Sequence, residues 1–406
     1  MRLLLPLLLL LCAAARGPAQ ELPANGPAKL EVELVSLNVW GLPWTPRLEE
    51  RVARLGQELA RLRPQVVCLQ EVWREEDGVA LTKALAGAGL PHARHWQEGL
   101  LGSGLLVASA WPLREVTFRP FDLAGKAHKP WHGDWYATKA VALVSLETPL
   151  GPLQVATTHL HARYGSDEYL PLQVTQAEEL VRAIGDHGAV PPPPGWEPGR
   201  PPLVLAGDLN SPRDALPWRL IAAGGALRAP DEDLGIDWVF VRDGGALRVE
   251  LRSVSALFEG PLDLGGGERV ALSDHAGRLA KLTLRRIPRQ APARPGADPR
   301  PRWRAVAGEA EEQLAAARDA ALVRSGSARG RGVWLLLLSG LLFALARKLK
   351  RKLGCLLGLG SFLLLHLATV QVYLGAISER SLAAGLERAR ARLEARLDET
   401  REEGGR

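Results

Sequence analysis

The sequence predicts an α/β protein in which mixed β-sheets are covered by helices and followed by a membrane hairpin. Strand-like apolar runs recur along residues 28–287, and some follow one another directly while others are separated by helical patterns. Direct steps are typical of antiparallel neighbours and helical crossovers of parallel ones, so a purely parallel sheet is disfavoured. Two further apolar runs, 333–346 and 353–377, flank a basic cluster and predict the hairpin.

The elements of the first part can be assigned in order. Leu30 to Leu37 alternates as a strand does, and 46–63 carries apolar residues at the three- and four-residue spacing of an amphipathic surface helix. A second helix is predicted at 167–186, and the prolines of 191–202 predict a stiff loop. The remaining strands are predicted at 65–70, 104–109, 139–147, 153–158, 202–207, 236–241, 269–272 and 278–284.

Accessory segments flank this globular domain, which we place at 28–287. Residues 1–20 combine Arg2, a leucine-rich core and small residues at 13–15, a pattern typical of a secretory signal peptide. Residues 288–332 are rich in Pro, Ala and Arg without a strand pattern, and they predict a linker.

The predicted hairpin covers 333–377 and has a basic loop at 347–352. Its second run is long enough to cross a bilayer, whereas the first is short against the roughly 17–25 residues that a spanning helix needs. A re-entrant or interfacial position for the first run therefore stays open.

The tail, 378–406, is predicted to be a charged helix with one apolar face. This face predicts either a coiled coil with possible self-association, a helix on the membrane surface or a solvated cap. The apolar residues are Leu382, Leu386, Ala389, Leu393 and Leu397.

Charge and cysteine content limit the partners. The chain has a formal net charge of +6, and much of the basic excess lies in 285–331 and 347–352, beside the hydrophobic runs. An anionic lipid surface is the expected partner there, with a solvated linker as the alternative for the first stretch. Of the three cysteines, only Cys68 lies in the globular domain, where it is expected to be a core residue and not part of a disulfide or a metal site.

Five short polar motifs each follow an apolar strand-like run. Because polar side chains at the ends of successive strands converge on one edge of a sheet, we expect them to form one site. They offer oxygens for a hard cation and imidazoles for proton transfer, which is the inventory of a metal-dependent phosphoryl-transfer enzyme. The motifs are Ser36–Trp40, Gln70–Trp73, Thr158–His161, Leu205–Asn210 and Ser273–His275.

Each motif alone has an ordinary structural explanation. The segment Gly207–Asn210 could mark a turn, Ser273–His275 could form an Asx turn, and Glu71 could pair with a nearby arginine. Their order, spacing and completeness favour a shared site.

The chain resembles the endonuclease/exonuclease/phosphatase superfamily, whose deoxyribonuclease-like fold is a four-layer α/β/β/α sandwich of two mixed sheets flanked by helices. The residues that carry the resemblance are Asn38, Glu71, His159, Asp208, Asn210, Asp237, Asp274 and His275. Within that group, the segments 37–43, 102–105, 132–141 and 158–164 resemble the membrane-associated neutral sphingomyelinases.

The resemblance implies roles for a cation and a base. Glu71 would be the main carboxylate ligand of Mg²⁺, with Asn38 close by, and Mn²⁺ would be a substitute ion. Asp274 and His275 would form an oriented general base for an attacking water, and Asp208 would orient that water.

The resemblance also implies roles for groups around the leaving oxygen. Asn210 would hydrogen-bond the phosphoryl oxygens, His159 would stabilise the transition state or protonate the leaving oxygen, and Asp237 would support His159. His161 is predicted to be a structural neighbour. Lys139 would act as a switch that pairs with Asp134 or approaches the site, whereas chemistry alone predicts a surface ion pair.

The implied activity is that of a Mg²⁺-dependent phosphodiesterase of the phospholipase C type, which hydrolyses sphingomyelin to ceramide and phosphocholine by in-line attack of water. Choline lysophospholipids are an alternative substrate. A nuclease of the same superfamily, and with it a nucleic-acid partner, is disfavoured by the membrane hairpin and by the absence of Gly-Arg before Ile236-Asp237. An inositol polyphosphate 5-phosphatase is disfavoured by Ala271-Leu272 before the histidine motif, and an inactive scaffold by the presence of every expected polar group.

The resemblance and the sequence disagree on membrane sidedness. Membrane enzymes of this branch typically present the domain to the cytosol, whereas the signal-like leader and the basic loop 347–352 favour the lumen or the cell exterior. We expect a multi-pass or hairpin-anchored protein of the endoplasmic reticulum, Golgi or plasma membrane, with the sidedness open.

Overall fold

The computed structural model describes residues 27–99, 102–126, 129, 132–165, 167–185, 202–244, 247–264, 267, 269–287 and 300–403. The predicted signal peptide and nearly all of the proline-rich loop lie outside these residues. The β-strands are β1 (Lys29–Asn38), β2 (Val66–Gln70), β3 (His92–Trp96), β4 (Leu105–Ser109), β5 (Leu113–Pro120), β6 (Ala140–Thr148), β7 (Gly151–His159), β8 (Leu203–Asp208), β9 (Asp237–Arg242), β10 (Leu247–Leu257), β11 (Leu262–Asp263), β12 (Arg269–Val270) and β13 (Gly277–Arg286). The α-helices are α1 (Leu48–Leu62), α2 (Glu75–Gly87), α3 (Leu170–Gly185), α4 (Leu216–Gly225), α5 (Arg300–Ala346), α6 (Arg351–Tyr373) and α7 (Glu379–Glu403).

Two mixed sheets form the centre of the globular domain. The larger has the strand order β10-β13-β1-β2-β4-β3, and the second has the order β5-β6-β7-β8-β9. The pairs β1–β2 and β7–β8 are parallel, whereas the other pairs in these two sheets are antiparallel. The prediction of mixed sheets is therefore confirmed.

The alternation of side chains along β1 shows how the layers are built. Val32 and Leu34 belong to the core between the sheets, which continues to α3 and α4, whereas Val35 and Leu37 pack with α1 and α2 on the other face. The result is the expected four-layer α/β/β/α sandwich. Cys68 lies fully buried between the sheets, and this burial raises the pKa of its thiol to about 12.

Several elements were not predicted. Strand β10 is missed because Arg248, Glu250 and Arg252 interrupt its apolar pattern, and in the structure these side chains are partly exposed on one face of the strand. Strands β3 and β5 likewise mix basic residues with apolar ones, and helices α2 and α4 lack the long amphipathic stripe of α1. One solvated face hides a strand from a search for continuous apolar runs.

The segment predicted as a linker is helical from Arg300 onward and packs on the globular domain. Trp303, Ala307, Ala310 and Leu314 are buried at helical spacing against the core that includes α3 and α4. Helix α7 runs beside α5 and buries the apolar face predicted for the tail, since Leu386, Ala389, Leu393 and Leu397 join the same core. The tail thus packs within the chain, and self-association through it stays a prediction.

Helices α5 and α6 form the predicted hairpin. They are antiparallel and turn at 347–350, and Ser339 and Ser361 exchange hydrogen bonds between side chain and backbone (2.8 and 2.9 Å) across the hairpin. Both stretches that contain these helices are long and apolar enough to cross a membrane. The exposed leucine and phenylalanine side chains of the pair indicate membrane anchoring.

Candidate active site

Strand register brings the predicted residues to one edge of the two sheets. His159 at the end of β7 pairs with Asp208 at the end of β8, and Asp208 pairs with Asp237 at the start of β9. Asn38 ends β1 in the facing sheet, and Glu71 follows β2. Of the predicted residues, Asn38, Glu71, His159, Asp208, Asp237 and His275 lie in one connected cluster.

Glu71 is held in place by its backbone and by Asn38. Its φ of 60° lies in the left-handed region, which is unusual for a residue with a side chain and frequent at functional sites. Gly41 packs against the Glu71 carbonyl so closely that a Cβ would lie 2.1 Å from its oxygen, so this position requires glycine. The Asn38 amide donates to Glu71 Oε1 (3.0 Å), while burial raises the pKa of the Glu71 carboxyl.

Asn38 is placed differently from the prediction of a metal ligand. Its Nδ2 donates to both Glu71 and Asp208 (3.0 Å each), and its Oδ1 accepts the backbone N–H of Trp40 (3.0 Å). An amide nitrogen is a donor and does not bind a cation. In this arrangement Asn38 orients two carboxylates instead of presenting an oxygen to an ion beside Glu71.

The partner of His275 is Asp237, not Asp274. His275 Nδ1 donates to Asp237 Oδ2 (2.9 Å), whereas Asp274 is exposed and its carboxylate contacts the hydroxyl of Ser273 (3.4 Å). Two predictions are therefore wrong: Asp274 does not orient the imidazole, and Asp237 supports His275 rather than His159. Burial opposes the charged imidazolium, but the hydrogen bond and charge of Asp237 outweigh it and raise the pKa of His275 to about 9.

Asp208 lies at the centre of the cluster. Its Oδ2 accepts from Asn38 and lies 3.4 Å from His159 Nε2 and 3.9 Å from His275 Nε2. Burial and the nearby charge of Asp237 raise the pKa of Asp208 to about 7. A carboxyl that faces both imidazoles can accept or release a proton near neutral pH.

Asn210 supports the edge of the site. Its backbone N–H donates to Asp208 Oδ1 (2.8 Å), and its side-chain amide donates to the carbonyl of Leu160 (2.9 Å). This bond uses one of the two N–H groups of the amide, so the contact of Asn210 with phosphoryl oxygens stays a prediction.

His159 contacts Lys139, which also contacts Asp134. Lys139 Nζ donates to His159 Nε2 (2.8 Å) and lies 2.8 Å from Asp134 Oδ1, although the lysine is only 2% exposed. Burial and the charge of Lys139 lower the pKa of His159 well below its usual value, so this imidazole is neutral and its Nε2 accepts the hydrogen bond from Lys139. In this one conformation Lys139 both pairs with Asp134 and reaches the site, whereas the prediction treated these as alternative states. Because Lys139 is buried, its ion pair with Asp134 does not lie on the surface.

His161 belongs to an aromatic group beside the site. Its ring stacks on Tyr169 at a centroid distance of 4.8 Å, and its Nδ1 contacts the carbonyl of Ala162 (2.6 Å). This position fits the structural role predicted for it.

Two supporting residues were not predicted. Arg51 is buried and donates to the carbonyls of Val39 (3.1 Å) and Leu272 (2.8 Å), so it joins the loop after β1 to the loop before His275. Gln173 donates to the carbonyls of His161 (2.7 Å) and Asn210 (2.9 Å). Both residues could have been found in the sequence, because each is a polar residue at a core position of a predicted helix. Such residues are rare unless they are hydrogen-bonded.

The donor set fits a hard divalent cation. Glu71 offers a carboxylate, and Asp208, Asp237 and His275 place one ligand atom each within 4.8 Å of one another. In this set of three residues, His275 and Asp237 already bind each other through a hydrogen bond. Since Mg²⁺ prefers oxygen ligands, Glu71 is the better anchor.

Comparison with known proteins agrees with this architecture. Residues 35–275 match the Endonuclease/Exonuclease/phosphatase family. The "Putative neutral sphingomyelinase" of Drosophila melanogaster is 29% identical over 286 residues, which are 63% of this chain and 61% of that protein. The Homo sapiens protein "Sphingomyelin phosphodiesterase 2" is 37% identical over 158 residues, which are 38% of this chain and 37% of that protein.

A further relative is "Inositol phosphosphingolipids phospholipase C" of Schizosaccharomyces pombe, which is 32% identical over 202 residues, or 48% of this chain and 45% of that protein. The chain thus spans less than two thirds of the length of each of these relatives. Among solved structures, sphingomyelinase C from Streptomyces griseocarneus superposes with a TM-score of 0.46 and 20% identity, covering 62% of this chain and 99% of that one.

Proposed function

Because the chain belongs to the endonuclease/exonuclease/phosphatase family, we propose that it is a Mg²⁺-dependent phosphodiesterase that hydrolyses sphingomyelin to ceramide and phosphocholine. One observation carries the proposal: Glu71, the His275–Asp237 pair and the Lys139–His159 pair surround Asp208 at one edge of the domain. The relatives, whose names refer to sphingolipid hydrolysis, support the choice of substrate.

His275 is proposed as the general base. Its Nδ1 donates to Asp237, so its Nε2 is the nitrogen that can take a proton from water on the side of Asp208. Asp237 fixes the tautomer and stabilises the imidazolium that forms. Asp208 is proposed to orient the attacking water, and Asn210 holds Asp208 through its backbone N–H.

Glu71 is proposed to hold Mg²⁺, oriented by Asn38. When bound, the ion would neutralise charge on a phosphate oxygen and on the leaving alkoxide. Mn²⁺, which also takes oxygen ligands, is the proposed substitute.

His159 and Lys139 are proposed to act on the leaving-group side. In the structure the ammonium of Lys139 donates a hydrogen bond to the neutral His159. We propose that the proton shared in this hydrogen bond is the one that passes toward the ceramide oxygen. Burial raises the pKa of Asp134, but the charge of Lys139 outweighs this effect and keeps that pKa well below its usual value. Asp134 therefore remains anionic and stays paired with Lys139.

The hairpin supports a lipid as the substrate. A cavity of about 290 Å³ is lined by Lys126 and Glu168 together with Arg324 of α5 and Glu379 of α7. Glu168 precedes Tyr169, whose ring stacks on His161 beside the site. From Arg324 to the start of the apolar run at Val333 is about 13 Å along the helix, so we propose that this side of the domain lies near the bilayer.

The function is tested by measuring phosphocholine release from sphingomyelin in mixed micelles, with and without Mg²⁺. We expect Mg²⁺-dependent release that EDTA abolishes. Lyso-phosphatidylcholine and DNA are assayed in parallel, and a marked preference for either would replace sphingomyelin by that substrate class.

The pair of His275 and Asp237 predicts a pH dependence. His275 must be neutral to act as a base, so activity should rise with pH as the imidazolium, whose pKa is raised to about 9, loses its proton. Asp237→Asn removes the charge that raises this pKa. The alkaline rise should therefore move to lower pH while kcat falls, because the orienting carboxylate is lost. A pH profile of kcat/KM that does not move in Asp237→Asn would contradict the assignment.

The basic loop predicts the sidedness of the domain. Residues 347–352 are exposed at the tip of the hairpin, and positive charge favours the cytosolic side. We propose that the domain lies in the lumen or outside the cell. Protease treatment of intact microsomes should then leave it protected until detergent is added, and digestion without detergent would place it in the cytosol.

A further inference from the structure

An arginine of the last helix is inserted among three acidic groups of the globular domain. Arg392 on α7 donates through Nε to Glu178 (2.7 Å) and through Nη2 to Glu179 (3.0 Å), while its Nη1 lies 3.4 Å from Asp122. Glu178 and Glu179 are each 5% exposed. Two adjacent buried carboxylates are costly without a cation, and Arg392 supplies the charge that they need.

The same acidic groups hold a short segment, 121–123, that leads to the active site. Glu179 Oε2 accepts the backbone N–H of Asp122 (2.9 Å), and Gln176 donates to the carbonyl of Leu123 (2.8 Å). Phe121, the first residue of the segment, donates its backbone N–H to the carbonyl of Lys139 (2.9 Å). One continuous set of hydrogen bonds therefore joins Arg392 to Lys139.

Two further contacts tie α7 and α3 to this region. The side chain of Leu123 lies against Gly385 of α7, where an added Cβ would be 2.5 Å from a Leu123 methyl carbon. Gln176 also accepts the backbone N–H of His161 (2.8 Å). Helix α3 thus anchors both loops beside the proposed leaving-group side, and α7 contacts α3 and segment 121–123.

We propose that α7 is a positioning element for the active site, with Arg392 as the residue that fixes segment 121–123 and, through it, Lys139. The proposal rests on the proposed function of Lys139. The guanidinium of Arg392 hydrogen-bonds Glu179 and favours its ionised form, which is the stronger acceptor for the backbone N–H of Asp122. Burial raises the pKa of Glu179 to about 7, and the hydrogen bond from Asp122 and the charge of Arg392 act against this rise, so the ionised carboxylate depends on these partners. Since α7 follows the hairpin, the membrane anchor and the position of Lys139 are connected through one helix.

The test compares Arg392→Gln with Arg390→Gln in the full-length chain in detergent micelles. Arg390 loses the same charge on the same helix, but its partners Glu311, Glu387 and Glu394 all belong to α5 and α7. Activity is measured on sphingomyelin and on bis(p-nitrophenyl) phosphate, a soluble diester. We expect kcat on sphingomyelin to fall about 10- to 100-fold in Arg392→Gln with KM unchanged, because small displacements of a reacting group carry penalties of this size. On bis(p-nitrophenyl) phosphate kcat should fall much less, because its nitrophenolate leaving group needs no proton from Lys139. Arg390→Gln should retain wild-type kcat.

Two further variants separate positioning from general destabilisation. Arg392→Lys keeps the charge and should recover part of the lost kcat. In a Lys139→Met background, Arg392→Gln should cause little further loss, since residues that act through one another are not additive. Wild-type kcat in Arg392→Gln, or the same fold-loss in both backgrounds, would overturn the proposal. If the wild-type chain releases phosphocholine from lyso-phosphatidylcholine but not from sphingomyelin, the substrate assignment fails while the comparison of Arg392 and Arg390 still stands on that substrate, whose leaving group is also an alkoxide.

Discussion

Replacement of His275 by alanine should lower kcat by about 10²- to 10⁴-fold, the usual contribution of a general base. The imidazole is placed for this role because Asp237 occupies Nδ1 at 2.9 Å and leaves Nε2 directed to the side of Asp208. The measurement is the steady-state rate of phosphocholine release from sphingomyelin micelles. KM should change little, since the imidazole acts mainly in the transition state.

Loss of the imidazole also leaves the Asp237 carboxylate buried without its partner, with a cost of about 1–3 kcal/mol in the free energy of unfolding. His275→Gln keeps an amide that can donate to Asp237 and serves as the second variant. His92→Ala, on the edge strand β3, is the matched control and should keep full activity. Near-normal rates in both His275 variants, with an unchanged Tm, would show that another group takes the proton.

The identity of the site residues was predictable from the sequence, whereas their pairing was not. Asn38, Glu71, His159, Asp208 and His275 all follow apolar runs, and strand ends meet at one edge whatever the register. The partner of His275 depends on tertiary placement. Asp274 is its neighbour in the chain, but the antiparallel register of β8 and β9 sets Asp237 beside Asp208 and within reach of the ring.

Side-chain amides show the same limit. The sequence indicates that Asn38 and Asn210 are near the site, but it does not indicate which amide atom faces it. In the structure the Asn38 amide donates to two carboxylates, whereas the Asn210 amide donates one of its two N–H groups to the carbonyl of Leu160. Asn38 therefore orients two neighbouring groups, and the contact of Asn210 with phosphoryl oxygens stays a prediction.

The C-terminal helices were harder to predict because their partners are distant in sequence. The apolar stripe of α5 begins at Trp303, directly after a Pro- and Arg-rich stretch that conceals it. The apolar face of α7 is visible in the sequence, but three kinds of partner could cover it. In the structure this face packs on the core of the same chain, and Arg392 pairs with α3, more than 200 residues earlier in the sequence.

Replacement of Glu71 by glutamine should raise the Mg²⁺ concentration needed for half-maximal activity. Loss of a residue that merely supports a metal ligand typically costs about 10- to 100-fold in metal affinity, so loss of the carboxylate itself should cost at least as much. A neutral amide is a poorer ligand for a hard cation, and it is also a weaker acceptor for the Asn38 amide, which donates to Glu71 Oε1 at 3.0 Å. Activity is measured in a Mg²⁺ titration of the wild type and the variant.

The control is Glu75→Gln, which removes an equal charge from an exposed position four residues away. Its Mg²⁺ requirement should match that of the wild type, because an exposed charge is screened by solvent. Ca²⁺ should compete with Mg²⁺ in the wild type without supporting turnover, since it accepts a looser oxygen geometry. An unchanged Mg²⁺ requirement in Glu71→Gln would move the cation site away from Glu71. The cluster of Asp208, Asp237 and His275 would then be the remaining place for it among the described residues, and the Asp237–His275 hydrogen bond would have to give way when the ion binds.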